Sequence, residues 1–489
     1  MFKLNRDVLY LIFKELQHDK KTLFTFLTVN KTWCEMIIPI LWKNPLKKYL
    51  KKKKSLFNVI ISHLSNESRN NLKNQGIDLF IHPYQGPLFN YINCCRHLNL
   101  DNLNEIINTI CPIFKISTIK KEVIEKEIIN LFINENTRIT HLYIPCKFKH
   151  QMHLIPGARF CFSELEFLSC STNIYDNVLI GLLEIFKSIK KFEFIVEMDN
   201  NNHEIVKLIE NSKKLVDIHF LIKYNSSNNH KSFYKVLENS LINHASTIQY
   251  FKINRQPTTN ILSSFVNLKT LEINGGMSEL SWDCLENSYF PFLQVLKARY
   301  IPIKSLVKVI ESTNGDLNEI KIDDKLHFET DNKIIIQSIY QYCPKLQYLK
   351  LVIRENNILE LENLLIKCQY LNGLYIIIHN HVFWDCDISF NWDHLFEVLA
   401  RSSPISLFKF KFYFFETCKF ESLTSFLDNW KDRNSMLLQT IQDTTGMCIA
   451  GMKWFDLIDY ESKGIVKYYN HTLDVNNTLE EFEWVHENI

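Results

Sequence analysis

Apolar and polar positions alternate in a six-residue phrase, ΦxxΦxΦ with Φ apolar, that the chain writes again and again. It reads LKTLEI from Leu268, LQVLKA from Leu293, LNEIKI from Leu317, LQYLKL from Leu346 and LNGLYI from Leu371. The same pattern starts at Ile139, Ile189, Leu215, Ile248 and Leu479, with looser copies from Leu165 and Ile405. From Leu142 to Phe408 the fourth position returns every 20 to 34 residues. One such phrase carries little information, but eleven in series are not chance. Positions four and six alternate with polar neighbours, the mark of a strand with one buried face. Between copies lie stretches of helical period, at 174–188, 232–246, 304–313, 332–343 and 392–403. Two of them stop at Cys343-Pro344 and Ser403-Pro404, where the residue before proline is pushed out of the helical region.

Strand, loop and helix recurring at this spacing predict an α/β chain. From about residue 90 onward it resembles an irregular leucine-rich-repeat protein. The resemblance implies a right-handed solenoid with a parallel sheet on its concave face. The asparagine that closes the family phrase LxxLxLxxN is mostly missing, so the strand-to-helix loops must satisfy their backbone groups differently. An ordinary doubly wound domain is the competing architecture, but such sheets rarely exceed about ten strands and do not repeat one strand phrase.

The first fifty residues follow a helical grammar. Asn5 and Thr22 stand where helix caps are expected. Val8, Leu9, Ile12, Phe13 and Leu16 form one apolar stripe, Leu23, Phe24 and Leu27 a second, and Pro39 is expected to close a third helix carrying Trp33, Met36 and Ile37. These residues resemble the F-box. Leu4, Asp7, Val8, Leu9, Ile12, Phe13 and Leu16 match its first block, Val29 to Trp33 its second, and Leu41-Trp42 its close; Asn5 stands where proline is usual. The wording is similar to large fungal F-box families. The resemblance implies a substrate receptor of a Skp–cullin–F-box ubiquitin ligase, non-catalytic and without cofactor. Its F-box would dock a Skp-type adaptor carried by a cullin scaffold, through Leu4, Val8, Leu9, Ile12, Phe13, Leu16, Leu23, Leu27 and Trp33. The competing reading of the module is a small helical lid for the first repeat, and the competing functions are a leucine-rich-repeat scaffold or a ligand sensor not engaged in a ubiquitin ligase. The expected organisation is an F-box over 1–45, a basic linker over 46–90 and repeats over 91–489.

Composition narrows the function further. The 489 residues carry 56 Lys+Arg against 54 Asp+Glu, too balanced for a dedicated nucleic-acid binder. No apolar run reaches the ~18 residues of a membrane span, and the first residues lack the uninterrupted apolar centre of a signal peptide. Thirteen cysteines without a CxxC pair fit reduced thiols in cytosol or nucleus. No GxxxxGK[ST], GxGxxG, HExxH or GxSxG motif occurs, and no enzyme is expected. HNHVFWDCD at 379–387 and KHQMH at 149–153 could be metal-ligating runs but are better explained as loops, and KKYLKKKKS at 47–55 as a solvated helix face or a nuclear-localisation patch.

Odd positions of each phrase should leave the concave face of the sheet. Position five then gives Lys252, Glu272, Lys297, Lys321, Lys350, Tyr375 and Lys409, with Tyr348 at position three and Arg299 and Lys411 at position seven. Lys297, Arg299, Lys321, Tyr348, Lys350, Tyr375 and Lys409 are the candidate contacts for a protein substrate, its segment acidic or phosphorylated. Lysines that merely keep the face soluble are the alternative. Between Phe412 and Leu479 the phrase is lost, and one or two degenerate repeats are expected before an end cap.

Overall fold

The computed structural model describes residues 5–47, 53–79, 86–186, 189–197, 201–222, 231–276, 281–323, 328–378, 390–414, 419–443 and 457–474. Leu4, the 379–387 run, most of the 47–55 run and the phrase from Leu479 lie outside them. The chain forms two compact units, 1–244 and 245–489.

The first unit opens with helices α1 (Arg6–Glu15), α2 (Lys20–Phe26) and α3 (Lys31–Leu41). Each starts on a side-chain cap that satisfies an orphan amide: Asn5 accepts from Asp7 N (3.3 Å), Asp19 from Thr22 N (3.1 Å) and Asn30 from Trp33 N (2.9 Å). Asp19, not Thr22, is therefore the second cap. Pro39 does not close α3, which runs on to Leu41; the ring sits on the exposed side, where a missing amide leaves no buried acceptor. Leu9, Phe13, Leu23, Met36 and Ile37 make the core of this module. The Trp33 ring meets Phe13 and Phe26 edge-on at 5.0 and 5.2 Å.

Helices α4 (Lys53–Ser62) and α5 (Asn66–Asn74) follow, then the repeats. Strands β1 (His97–Asn99), β2 (His141–Ile144), β3 (Phe167–Ser171), β4 (Lys191–Val196) and β5 (Asp217–Ile222) pair in parallel and in sequence order. Between or after them come α6 (Leu100–Ile110), α7 (Thr118–Phe132), α8 (Ala158–Cys161), α9 (Asp176–Ile185), α10 (Val206–Glu210) and α11 (Lys231–Ser240). The second unit continues the scheme with β6 (Tyr250–Ile253), β7 (Thr270–Asn274), α12 (Asp283–Glu286), β8 (Val295–Arg299), α13 (Ile303–Glu311), β9 (Glu319–Ile322), α14 (Glu329–Tyr342), β10 (Tyr348–Ile353), α15 (Ile358–Lys367), β11 (Gly373–Ile378), α16 (Trp392–Ser402), β12 (Lys409–Phe414), α17 (Phe420–Asp428), β13 (Met436–Asp443), α18 (Ile458–Ser462) and β14 (Val466–Asp474). Here too each described pairing is parallel and between successive strands. Each unit thus has the strand-and-helix order of an α/β leucine-rich-repeat protein.

One backbone ladder and one side-chain bridge hold successive turns in register. At strand starts, the carbonyl one residue before a strand accepts two amides from the next turn: Lys269 and Thr270 donate to Gln249 O at 2.8 and 2.9 Å, and Gln294 and Val295 to Lys269 O at 2.8 and 3.0 Å. The helical module joins the same ladder, because Lys43 O accepts from Arg96 N (2.9 Å) and His97 N (3.0 Å), while the Trp42 ring packs tilted against Tyr91, centroids 4.7 Å apart. Beyond β10, Asn332 of α14 replaces the missing consensus asparagine from the helix side. Fully buried, it donates to Val352 O (2.6 Å) and accepts from Arg354 N (3.2 Å).

Leu271 and Leu349 point into the core with no exposed surface. Replacing either by alanine should lower unfolding free energy by ~2–5 kcal/mol, read by denaturant titration. Hydrogen exchange should accelerate first in the neighbouring turns, since a repeat touches chiefly its neighbours. Equal loss of protection in both units would contradict that.

Candidate functional site

Two surfaces stand out: the outer side of the helical module and the helix-free face of the strands. On the module, Leu9, Phe13 and Leu23 are core residues, with Leu16, Leu27 and Trp33 packed against them. Of the described residues assigned to an adaptor, only Val8 (43 % exposed) and Ile12 (41 %) present their side chains to solvent. Leu11 (58 %) adds to them one helical turn from Val8, and Tyr10, Phe24 and Val29 are exposed as well. These four were missed. The helical spacing that groups Val8 with Ile12 also contains Leu11, whereas the F-box-like pattern named only Val8 and Ile12 on that side of the helix.

On the helix-free face of the second unit, register aligns Glu272, Lys297, Lys321, Lys350 and Tyr375 in one row. The next member is Lys411, not Lys409: Phe410 aligns with Leu374, so the phrase starts at Leu407 rather than Ile405 and Lys409 moves to the row of Tyr348. Ile405 is exposed and Leu407 buried, which fixes the slip of two residues. The face is preserved because side chains alternate with period two.

The row is less basic than the sequence implied. Glu272 takes Lys252 at 2.7 Å, Lys297 at 3.8 Å and the Tyr250 hydroxyl at 2.6 Å. Burial opposes the Glu272 charge, yet the hydrogen bonds from Lys252 and Tyr250 outweigh it and hold its pKa below the usual range. Lys321 pairs with Glu319 at 2.6 Å, and Lys350 with Asp323. Arg299 stacks over the Tyr300 ring at 5.1 Å, and Lys409 over Tyr348 at 5.4 Å.

Accessibility divides the row. From β6 to β9 its residues are half-buried, each keeping part of its side chain in solvent. Lys350 and Tyr375 are only 1 % exposed, and Lys411 is buried; the Tyr375 ring lies between the two ammonium groups at 4.7 and 4.9 Å. Val352, Ile377 and Tyr413 join Tyr375 in a buried apolar cluster on this face. Burial lowers the Lys350 pKa against the pull of Asp323. Lys350 and Tyr375 therefore offer no open surface here, contrary to the expectation for a substrate contact.

The first unit carries a different arrangement. His97 and His141, opposite each other in register, stack at 3.9 Å with rings 4° from parallel, and Phe167 lies 5.4 Å beyond. Two strands on, His219 sits 2.9 Å from Asp217 and 3.3 Å from Glu193, which also accepts from Ser169 Oγ at 2.7 Å. Burial, with the neighbouring His141, lowers the His97 pKa to about 4, and burial lowers that of His141. For His219 burial acts downward too, but hydrogen bonds to Asp217 and Glu193 raise the pKa above its ordinary value. The two sets oppose each other. Stability from neutral His97 is present above pH ~6.5 and lost as pH falls towards 4. Stability from charged His219 is present below pH ~6.5 and lost as pH rises through its raised pKa. Melting midpoints should thus peak near neutrality. His97→Gln should flatten the acid side and His219→Gln the alkaline side; profiles unchanged by both would refute the assignment.

Among the described residues no His, Cys, Asp or Glu cluster has metal-binding geometry, and no helix is long and apolar enough to cross a membrane.

No protein-family model matches the chain, and no curated protein matches it. Among solved structures, it is similar to the leucine-rich-repeat-containing protein LegL7 from Legionella pneumophila, at 12 % identity and a TM-score of 0.33, over 63 % of this chain and 91 % of that one.

Proposed function

We propose that the chain is the substrate-recognition subunit of a Skp–cullin–F-box ubiquitin ligase. The helical module docks the adaptor, and the open part of the strand face, β6 to β9, holds a protein substrate. The observation that carries this reading is the module itself, with its F-box-like spacing, its Phe13–Trp33–Phe26 core and an apolar helix face turned outward. A lid that only closed the first repeat would bury that face or make it polar. Catalysis belongs to the other subunits of the complex. Substrate recognition rests on mixed charge, Lys252, Glu272, Lys297 and Lys321, with Tyr250 beside them, more than on a uniformly basic track.

A second reading, a repeat scaffold outside any ligase, is favoured by one observation: Lys43 O occupies the place of a preceding repeat in the strand-start ladder, as a cap would. Tagged full-length chain purified from cells distinguishes the two. Recovery of a Skp-type adaptor together with a cullin supports the receptor; recovery of neither supports the scaffold.

A further inference from the structure

At the edge where β6, β7 and β8 begin, an open cavity of about 270 Å³ crosses three successive turns of the second unit. Gln249, Lys269 and Gln294, each one residue before its strand, line it at the spacing of neighbouring strands, ~4.8 Å. Their backbone carbonyls are consumed by the strand-start ladder, as each accepts two amides. Only their side chains remain to face a ligand. Asn267 and Asp316 complete the polar wall, and Phe292, 51 % exposed, supplies one flat apolar surface.

The chemistry of this lining excludes more than it admits. Two glutamine amides, each with donors and an acceptor, disfavour a purely apolar ligand. A single lysine beside a carboxylate, itself paired with Lys345 at 2.6 Å, gives an anion no more than a screened surface contact. The cavity is smaller than the ~300–1,000 Å³ of drug-sized sites, so it suits one ring. A neutral ring with one apolar C–H face and a rim of hydroxyl groups answers all three conditions. Each pair of adjacent hydroxyls both donates and accepts, as a side-chain amide does, while the C–H face lies on the phenyl ring. We propose that this cavity is a carbohydrate-binding site that takes a single neutral pyranose unit, separate from the strand face assigned to protein substrate.

Saturation-transfer NMR with the full chain and the methyl glycosides of glucose, galactose, mannose and N-acetylglucosamine tests it at millimolar ligand. At least one glycoside should receive transfer, strongest at its ring C–H protons. Phe292→Ala, and separately Gln249→Ala with Gln294→Ala, should abolish it. Phe292 and Gln294 are exposed and Gln249 is half-buried, none of them in the core, so melting midpoints should move little. No transfer to any of the four glycosides overturns the proposal. So does transfer that persists in both variants, or transfer that inorganic phosphate displaces.

Discussion

Phe13→Ala combined with Trp33→Ala is expected to unfold the helical module while the repeats stay folded. Truncating a large buried aromatic such as Phe13 typically costs ~3–5 kcal/mol, half-buried Trp33 costs less, and the two ring centroids lie 5.0 Å apart, so their effects need not add. A module of some forty residues has little stability to lose. Its attachment to β1 does not protect it, because the Lys43 carbonyl and the Trp42–Tyr91 ring contact hold only its last residues. Circular dichroism should record a small loss of helix, and limited proteolysis should cut before residue 47 and leave the rest intact. A chain that melts as wild type with the double substitution would mean that Phe13 and Trp33 are not a shared core.

The second large effect is expected at Lys350. Its ammonium is buried beside Asp323 and against the Tyr375 ring. Removing one partner of a buried pair generally costs ~3–5 kcal/mol, because the other charge stays without compensation, while replacing both by apolar groups can be neutral. Lys350 is buried but Asp323 is partly exposed, and the other contacts of Lys350 persist, the Tyr375 ring among them, so Asp323→Ala should destabilise the second unit by up to about 3 kcal/mol. Asp323→Ala with Lys350→Met should recover most of it. The pH sign is fixed by the lowered Lys350 pKa. A lysine lowered in the fold is disfavoured as a charge there, so the single variant should regain stability as pH rises through that lowered value. Urea midpoints at neutral and alkaline pH measure this. A double variant no better than the single one would contradict the pairing.

These residues also show where sequence pattern carries information and where it stops. Positions four and six of the phrase are legible because they need only be apolar, and Leu271, Leu296, Ile320, Leu349 and Leu374 are all buried. The first copy is masked in the pattern because Cys95 stands at its first position, and Cys95, Leu98 and Leu100 are buried just like the leucines elsewhere. Near the other end, Thr440 aligns with Phe412 and His471 with Thr440, so two inward positions are polar. They satisfy one another through a 2.8 Å hydrogen bond, and a pattern built on hydrophobicity cannot see β13 or β14. Side-chain direction on the strand face was legible, but charge balance was not: Glu319 and Asp323 lie two residues either side of Lys321, on the same face, and cancel much of what the lysines supply. Burial of Lys350 and Tyr375 has no signature in a period-two pattern, which assigns a face without saying whether it is open.

The proposed adaptor docking rests on the outward face of α1. Isothermal titration of a purified Skp-type adaptor into the full chain, wild type and Val8→Glu with Ile12→Glu, tests it most directly. Both side chains are exposed, so the melting midpoint should stay unchanged. Two interface anchors at ~2 kcal/mol each amount to a loss of more than ~100-fold in affinity. Tight binding by the wild type and that loss in the variant are expected. Absence of binding by the wild type, or equal affinity of the two, would contradict the docking.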